Sequence, residues 1–112
     1  MERIVRGSVV VVALPGDYGK PRPALVVQSD LFNQTHASIS VIPLTTTLID
    51  TPIFRLTIEP SPTNGLRALS QLMVDKLTAV RRDRIGDPVG MVDDDKMLHV
   101  TRALAVRLAI GA

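Results

Sequence analysis

Two apolar runs, Val9 to Leu14 and Ala24 to Val27, are joined by a stretch that no regular element can absorb, Gly16-Asp17-Tyr18-Gly19-Lys20-Pro21-Arg22-Pro23. Gly16 and Gly19 permit tight or positive-φ backbone, and the two prolines stiffen the segment that enters the second run. Lys20 and Arg22 each precede a proline, which pushes both towards extended conformations. The geometry predicted is a long hairpin loop between two strands, with the Arg22 guanidinium emerging from restrained backbone at the mouth of the second strand. A guanidinium held in that way is suited to bidentate binding of phosphate. Taken alone, the same stretch also describes a polar hairpin loop with a solvated arginine.

The rest of the chain extends the β pattern. Val9-Val10-Val11-Val12 is apolar on both faces and β-branched, which predicts a central strand ended by Pro15. Pro23 to Ser29 forms the second strand. Ser29 to Ser38 is a polar connection holding Phe32, Asn33 and His36. Ile39 to Leu44 reads as a third strand, and Pro43, which cannot donate a ladder hydrogen bond, places its end at an edge or a bulge. Ile53 to Ile58 alternates, predicting Phe54, Leu56 and Ile58 inward with Arg55 and Thr57 outward. Asn64-Gly65 is a turn signal. Leu66 to Val74 holds a further strand, with Leu69, Gln71 and Met73 on one face. Asp75-Lys76 interrupts the apolar pattern, which resumes at Leu77 to Val80. Arg81 to Gly86 reads as a short helical turn and Pro88 to Val92 as a last short strand.

A helix closes the chain. Asp93 is a good N-cap, Asp94 and Asp95 suit the positive end of the helix dipole, and Gly111 is a plausible stop. Met97, Val100, Leu104 and Leu108 form an apolar stripe at helical spacing, which predicts core packing. Many short strands followed by one helix give a single domain over residues 1–112, mostly β with a C-terminal helix, as a small barrel.

Composition narrows the functions such a domain can carry. Tyr18, Phe32 and Phe54 are the only aromatic residues of 112, so the core is aliphatic, and nucleic-acid modules that stack several bases on several aromatics are disfavoured. The chain has no cysteine, which excludes disulfides, iron–sulfur clusters and thiolate zinc sites. Two separated histidines, His36 in a loop and His99 on the helix, give no metal-ligand pattern, and Asp93 to Asp95 is fully explained as a helix start. With no signal peptide and no apolar run long enough to span a bilayer, the expectation is a soluble cytoplasmic protein without cofactor. A net charge of +2 permits an anionic partner without requiring one.

Several segments, taken in order, resemble the MazF/PemK family of toxin endoribonucleases from toxin–antitoxin modules. They are Arg6-Gly7-Ser8-Val9-Val10, then Lys20-Pro21-Arg22-Pro23-Ala24-Leu25-Val26-Val27, Asp30-Leu31-Phe32-Asn33 and Val41-Ile42-Pro43-Leu44-Thr45. Gly65-Leu66, Ser70 to Val80, Arg84-Ile85-Gly86 and the final helix follow. The resemblance implies a twisted SH3-like barrel, a homodimer, and metal-independent, sequence-selective cleavage of single-stranded RNA (an mRNA interferase). It further implies a cognate antitoxin partner whose flexible segment covers the RNA groove.

Carried onto this chain, the resemblance points to Arg22, Thr45 and Asp75 as catalytic candidates. Physical chemistry favours charge stabilisation for Arg22, because a guanidinium pKa above about 12 makes it a reluctant acid. The Thr45 hydroxyl can bond a non-bridging oxygen or orient the 2′-hydroxyl, or it can simply end a β-branched strand. In some family members an aspartate at the Asp75 position is proposed as the base, with an arginine two residues earlier. Here that earlier position is Met73. Asp75 is therefore open to a second role, holding the Arg22 loop through a salt bridge. Candidates for RNA contact are Asp17, Tyr18, Lys20, Pro21, His36, Thr46, Lys76 and Arg81.

Two other functions fit the same frame. The related CcdB toxins share the fold and inhibit DNA gyrase without being enzymes, but their pattern places a tryptophan near the helix end, and this chain has none. A barrel that only binds its antitoxin is the third reading, kept open by Met73.

Overall fold

The hairpin anticipated from the Gly-Pro stretch forms. In the computed structural model, which describes residues 3–14 and 20–111, β1 (Ser8–Ala13) and β2 (Pro21–Val26) lie antiparallel, with Val9 opposite Leu25 and Val12 opposite Arg22. Then come β3 (Ser38–Thr45), β4 (Arg55–Ile58), β5 (Ser70–Met73), β6 (Thr78–Arg81), β7 (Gly90–Met91) and α1 (Asp94–Arg107). Hydrogen-bonded neighbours run β4-β5-β3-β2-β1-β7, and β6 also pairs with β3. The result is a mostly β half-barrel capped by a C-terminal helix.

Successive side chains of a strand point to opposite faces, and both faces of β1 to β3 are buried here. Val9, Leu25, Ile42 and Leu44 join Leu72, Val74, Met97 and Val100 in a core beneath α1. Val10, Val12, Ala24, Val26, Ile39, Val41 and Val80 form a second core on the opposite face. This is why the valine run is apolar at every position.

β3 is the hub. Its first half, Ser38 to Val41, pairs with β6, and its end, Leu44 and Thr45, pairs with Leu72 and Gln71 of β5. The expectation that Pro43 marks an edge or a bulge is corrected: Pro43 is buried and lies opposite Ala24 inside the sheet. The Ser40 carbonyl accepts from Val27 N–H at 3.1 Å, so strand alternation turns the Pro43 nitrogen towards the other flank. There the partner of β3 changes from β6 to β5, and no ladder donor is required at the seam.

Three further expectations are corrected. Phe54 does not face inward; it sits in the turn before β4, is 40% exposed, and packs under the Arg107 guanidinium at 5.8 Å from its ring centroid. Leu69, also 40% exposed, precedes β5 and so does not share a strand face with Gln71 and Met73. The helical stripe packs on the core through Met97, Val100 and half-buried Leu104, but its last predicted member, Leu108, lies beyond the helix and is exposed. Asp93 caps α1 as expected, its carboxylate accepting from Lys96 N–H at 2.8 Å.

The Asn64-Gly65 turn closes against β7. Gly65 has φ +70°, and a Cβ there would come within 2.4 Å of the Val89 carbonyl oxygen; a Cβ on Gly90 would come within 2.3 Å of the Asn64 carbonyl carbon. The two backbones can touch only because both positions are glycine.

Candidate functional site

The ends of β2 and β3 open side by side. Lys20, Pro21, Arg22 and Pro23 form one wall, Leu44, Thr45, Thr46 and Thr47 the other, and Ser70 at the start of β5 closes the floor of a groove of about 270 Å³. Arg22 is half-buried and Lys20 exposed, so two cations flank a row of threonines. Thr45 is fixed by its own neighbourhood, its Oγ1 accepting from Thr47 N–H at 3.1 Å. The Thr45 hydroxyl donates to no described residue, so its proton remains for an acceptor in the groove. Accepting one hydrogen bond polarises that O–H and strengthens it as a donor.

Five of the residues singled out in the sequence therefore meet here: Lys20, Pro21, Arg22, Thr45 and Thr46. Asp17 and Tyr18 lie outside the described residues. The others are dispersed. Asp75 and Lys76 belong to a 3-10 turn after β5, and Met73 is three strand steps, roughly 10 Å, from Ser70 at the groove. Asp75 Oδ1 lies 3.9 Å from Arg55 Nε, and this is its ion pair among the described residues. The salt bridge anticipated between Asp75 and the Arg22 loop is thus made to β4 instead, because Arg55 stands directly opposite Met73 in the register.

His36 and Arg81 sit at the opposite end of β3. Arg81 is paired with Ser38, seven residues before Thr45, which puts it roughly 23 Å from the groove. Arg81 Nη2 is 2.6 Å from Asp83 Oδ2 on the surface, and the His36 ring meets Phe32 edge-on at 6.3 Å. Neither lines the groove.

Sequence reasoning missed Thr47 and Ser70 as lining residues. The Thr45-Thr46-Thr47 run was visible as a signal, but Ser70 reaches the groove through a non-local pairing of β5 with β3.

A larger hollow of about 470 Å³ lies between β4, the Asn64 turn and the start of α1. Several of its polar atoms are used internally: Asp93 caps the helix, Asn64 bonds Glu59, Ser61 and Leu66, and Lys96 Nζ donates to the Thr57 carbonyl at 3.2 Å. The smaller groove is the one that presents cations and a donor hydroxyl together. Among the described residues no group of three or more His, Asp or Glu side chains is placed to hold a metal ion, and no helix is long and apolar enough to cross a membrane.

Comparison with known proteins agrees with this architecture. Residues 5–108 match the model of the PemK-like, MazF-like toxin of type II toxin–antitoxin systems. The chain is 44% identical over 107 residues to a probable endoribonuclease MazF of Mycolicibacterium smegmatis, covering 95% of this chain and 97% of that protein. Among solved structures it resembles a mycobacterial endoribonuclease in complex with its cognate antitoxin, with TM-score 0.79, 25% identity, and coverage of 97% and 98% of the two chains. The fold also matches that of the Mycobacterium tuberculosis toxin MazF-mt6, with TM-score 0.80, 17% identity, and coverage of 94% and 99%. A hairpin that presents Arg22 beside a threonine-lined strand end, on a half-barrel matched over nearly its whole length, places this chain in the PemK/MazF toxin family of type II toxin–antitoxin systems.

Proposed function

We propose that this toxin is a metal-independent, sequence-selective endoribonuclease that cuts single-stranded RNA in the groove between β2 and β3. The observation that carries the reading is the juxtaposition of Arg22, Lys20 and the Thr45 hydroxyl in one groove. The 2′-hydroxyl attacks the adjacent phosphorus, the P–O5′ bond breaks, and the products are a 2′,3′-cyclic phosphate and a 5′-hydroxyl end. The proton lost by the 2′-hydroxyl passes to water, and the departing O5′ gains one from water, since the described lining residues include no carboxylate or imidazole. Arg22 and the Thr45 O–H act on the charge that builds on the non-bridging oxygens. Lys20 holds a flanking phosphate. Asp75, paired with Arg55 away from the groove, is assigned to holding the 3-10 turn.

We propose two protein partners. A second copy of the chain covers exposed apolar side chains around the end of α1, where Val106, Leu108 and Ile110 are 70%, 52% and 64% exposed. A cognate antitoxin is supported by family membership and by the similar mycobacterial endoribonuclease solved with its antitoxin.

The test is incubation with mixed-sequence RNA in EDTA, with the cut ends mapped. Cleavage that yields cyclic phosphate and 5′-hydroxyl ends at a limited set of sequences is expected. Arg22→Ala should lower kcat about 10²–10³-fold, the effect of removing one preorganised donor to a developing oxyanion. Intact RNA with the folded wild-type protein, or full cleavage by folded Arg22→Ala, would overturn the assignment.

A further inference from the structure

One buried side chain ties the threonine wall of the groove together. Gln71 is 6% exposed, and its backbone pairs with Thr45 across β5 and β3. Its side chain treats Ile49 as a second strand would: Oε1 accepts from Ile49 N–H at 3.0 Å and Nε2 donates to the Ile49 carbonyl at 3.0 Å. Thr45 meanwhile accepts from Thr47 N–H. The segment Thr45 to Ile49 thus leaves the end of β3 and returns to the same residue that it started from, closed on Gln71 at both ends. Thr45, Thr46 and Thr47 of that loop line the groove; Gln71 does not.

We infer that Gln71 is a positioning residue for the proposed RNA cleavage: its carboxamide clamps Ile49 and so sets where the Thr45 to Thr47 hydroxyls and backbone stand relative to Arg22. This rests on the groove being the cleavage site. The four residues outside the sheet, Thr46 to Ile49, have little else to define them, because Leu48 and Ile49 are 46% and 44% exposed and add little packing. Freed from the clamp, the loop samples many conformations. A reacting geometry that must hold within a fraction of an ångström then loses about 10²-fold when misplaced by about 1 Å. Because Gln71 touches no groove surface, its loss is expected in kcat far more than in KM. A third contact, Nε2 to Thr57 Oγ1 at 3.3 Å, is independent of the loop and supplies a control.

Three variants test this, all assayed at a temperature where circular dichroism shows them fully folded. Gln71→Leu removes both arms of the clamp and should lower kcat about 10- to 100-fold while KM changes less than about threefold. Exchange of the Ile49 amide proton should accelerate in the same variant. Gln71→Glu supplies a pH readout. An ionised carboxylate only accepts and repels the Ile49 carbonyl, whereas a protonated carboxyl offers one donor and one acceptor in the amide's arrangement. Burial raises the carboxyl pKa, so activity of this variant relative to wild type should recover as pH falls from about 8 to about 5. Thr57→Val should stay within about twofold of wild type. Folded Gln71→Leu with unchanged kcat, Gln71→Glu with a flat ratio to wild type, or Thr57→Val as damaged as Gln71→Leu would each overturn the inference. RNA left whole by wild-type protein would overturn the groove assignment instead, and the role of Gln71 in cleavage with it.

Discussion

The two ends of β3 are built with the same device and do different work. At the Thr45 end, the buried carboxamide of Gln71 closes a loop. At the Ser38 end, the fully buried carboxamide of Asn33 does so. Its Nδ2 donates to the Gln28 carbonyl and to Asp30 Oδ1, and its Oδ1 accepts from Gln28 Nε2. Each loop also has an arginine beside it. Arg82 is consumed by its loop, donating from Nε to the His36 carbonyl at 3.1 Å and from Nη2 to the Asn33 carbonyl. At the other end Arg22 lines an open groove together with Thr45, whose hydroxyl donates to no described residue and so has a proton to give. Rigidity is common to both ends. What separates a structural loop from a chemical one is whether donors still face a cleft once the backbone has been satisfied.

Exchanging the roles of the two arginines is the strongest way to break that contrast. Arg22→Ala should cost about 10²–10³-fold in kcat and leave the melting temperature within a few degrees of wild type. Arg82→Ala should do the reverse. Removing two charge-assisted bonds to carbonyls from a partly exposed site is expected to cost about 2 kcal/mol, a fall of roughly 10 °C in a domain of this size, with kcat of the folded fraction unchanged. Thermal melts beside single-turnover cleavage resolve the two effects. If Arg82→Ala lost cleavage without losing stability, the Ser38 end would belong to the active surface after all.

Within the groove the effect is smaller. Thr45→Val keeps the β-branched shape and deletes the hydroxyl, and kcat should drop about 10- to 100-fold, less than for Arg22 because one neutral donor is lost rather than a cation. Stability should change by about 1 kcal/mol or less, the worth of the hydrogen bond from Thr47 N–H. Equal cleavage by Thr45→Val and wild type would leave the hydroxyl a loop fastener only.

Local chemistry decided which parts of this were legible in the sequence. The β1–β2 hairpin, the Asp93 cap, the short helical turn within Arg81 to Gly86 and the groove position of Arg22 all follow from residues close together in the chain. Pro43 misled because its tolerance depends on where two other strands end, which is a property of the sheet and not of the strand. Phe54 misled because β4 begins two residues later than alternation suggests, so the ring belongs to the turn. Asp75 pairs with Arg55, 20 positions away, because β4 and β5 place Arg55 opposite Met73. Gln71 looked like one more position on a strand face, and nothing local marks a glutamine whose partner is the backbone of a loop 22 residues earlier.

The smallest expected effect sharpens the comparison from the structural end. Asp30 accepts from Arg6 N–H at 2.7 Å and from Asn33 Nδ2 at 2.8 Å, which ties the lead-in before β1 to the loop that Asn33 closes. The Arg6 backbone N–H first, and the Asn33 amide second, hold the Asp30 carboxyl below its ordinary value. A carboxyl lowered on folding contributes stability that is present above its unfolded pKa and lost as pH falls through the folded one. Melting temperature should therefore decline below about pH 4 more steeply in wild type than in Asp30→Asn, whose amide cannot titrate. The side chain is exposed, so solvent screening keeps the difference to a few degrees. Cleavage near neutral pH should be the same for both, because the loop that Asp30 braces lies at the far end of β3 from the groove. A cleavage defect in Asp30→Asn at neutral pH, with its fold intact, would mean that the two ends of the strand are coupled.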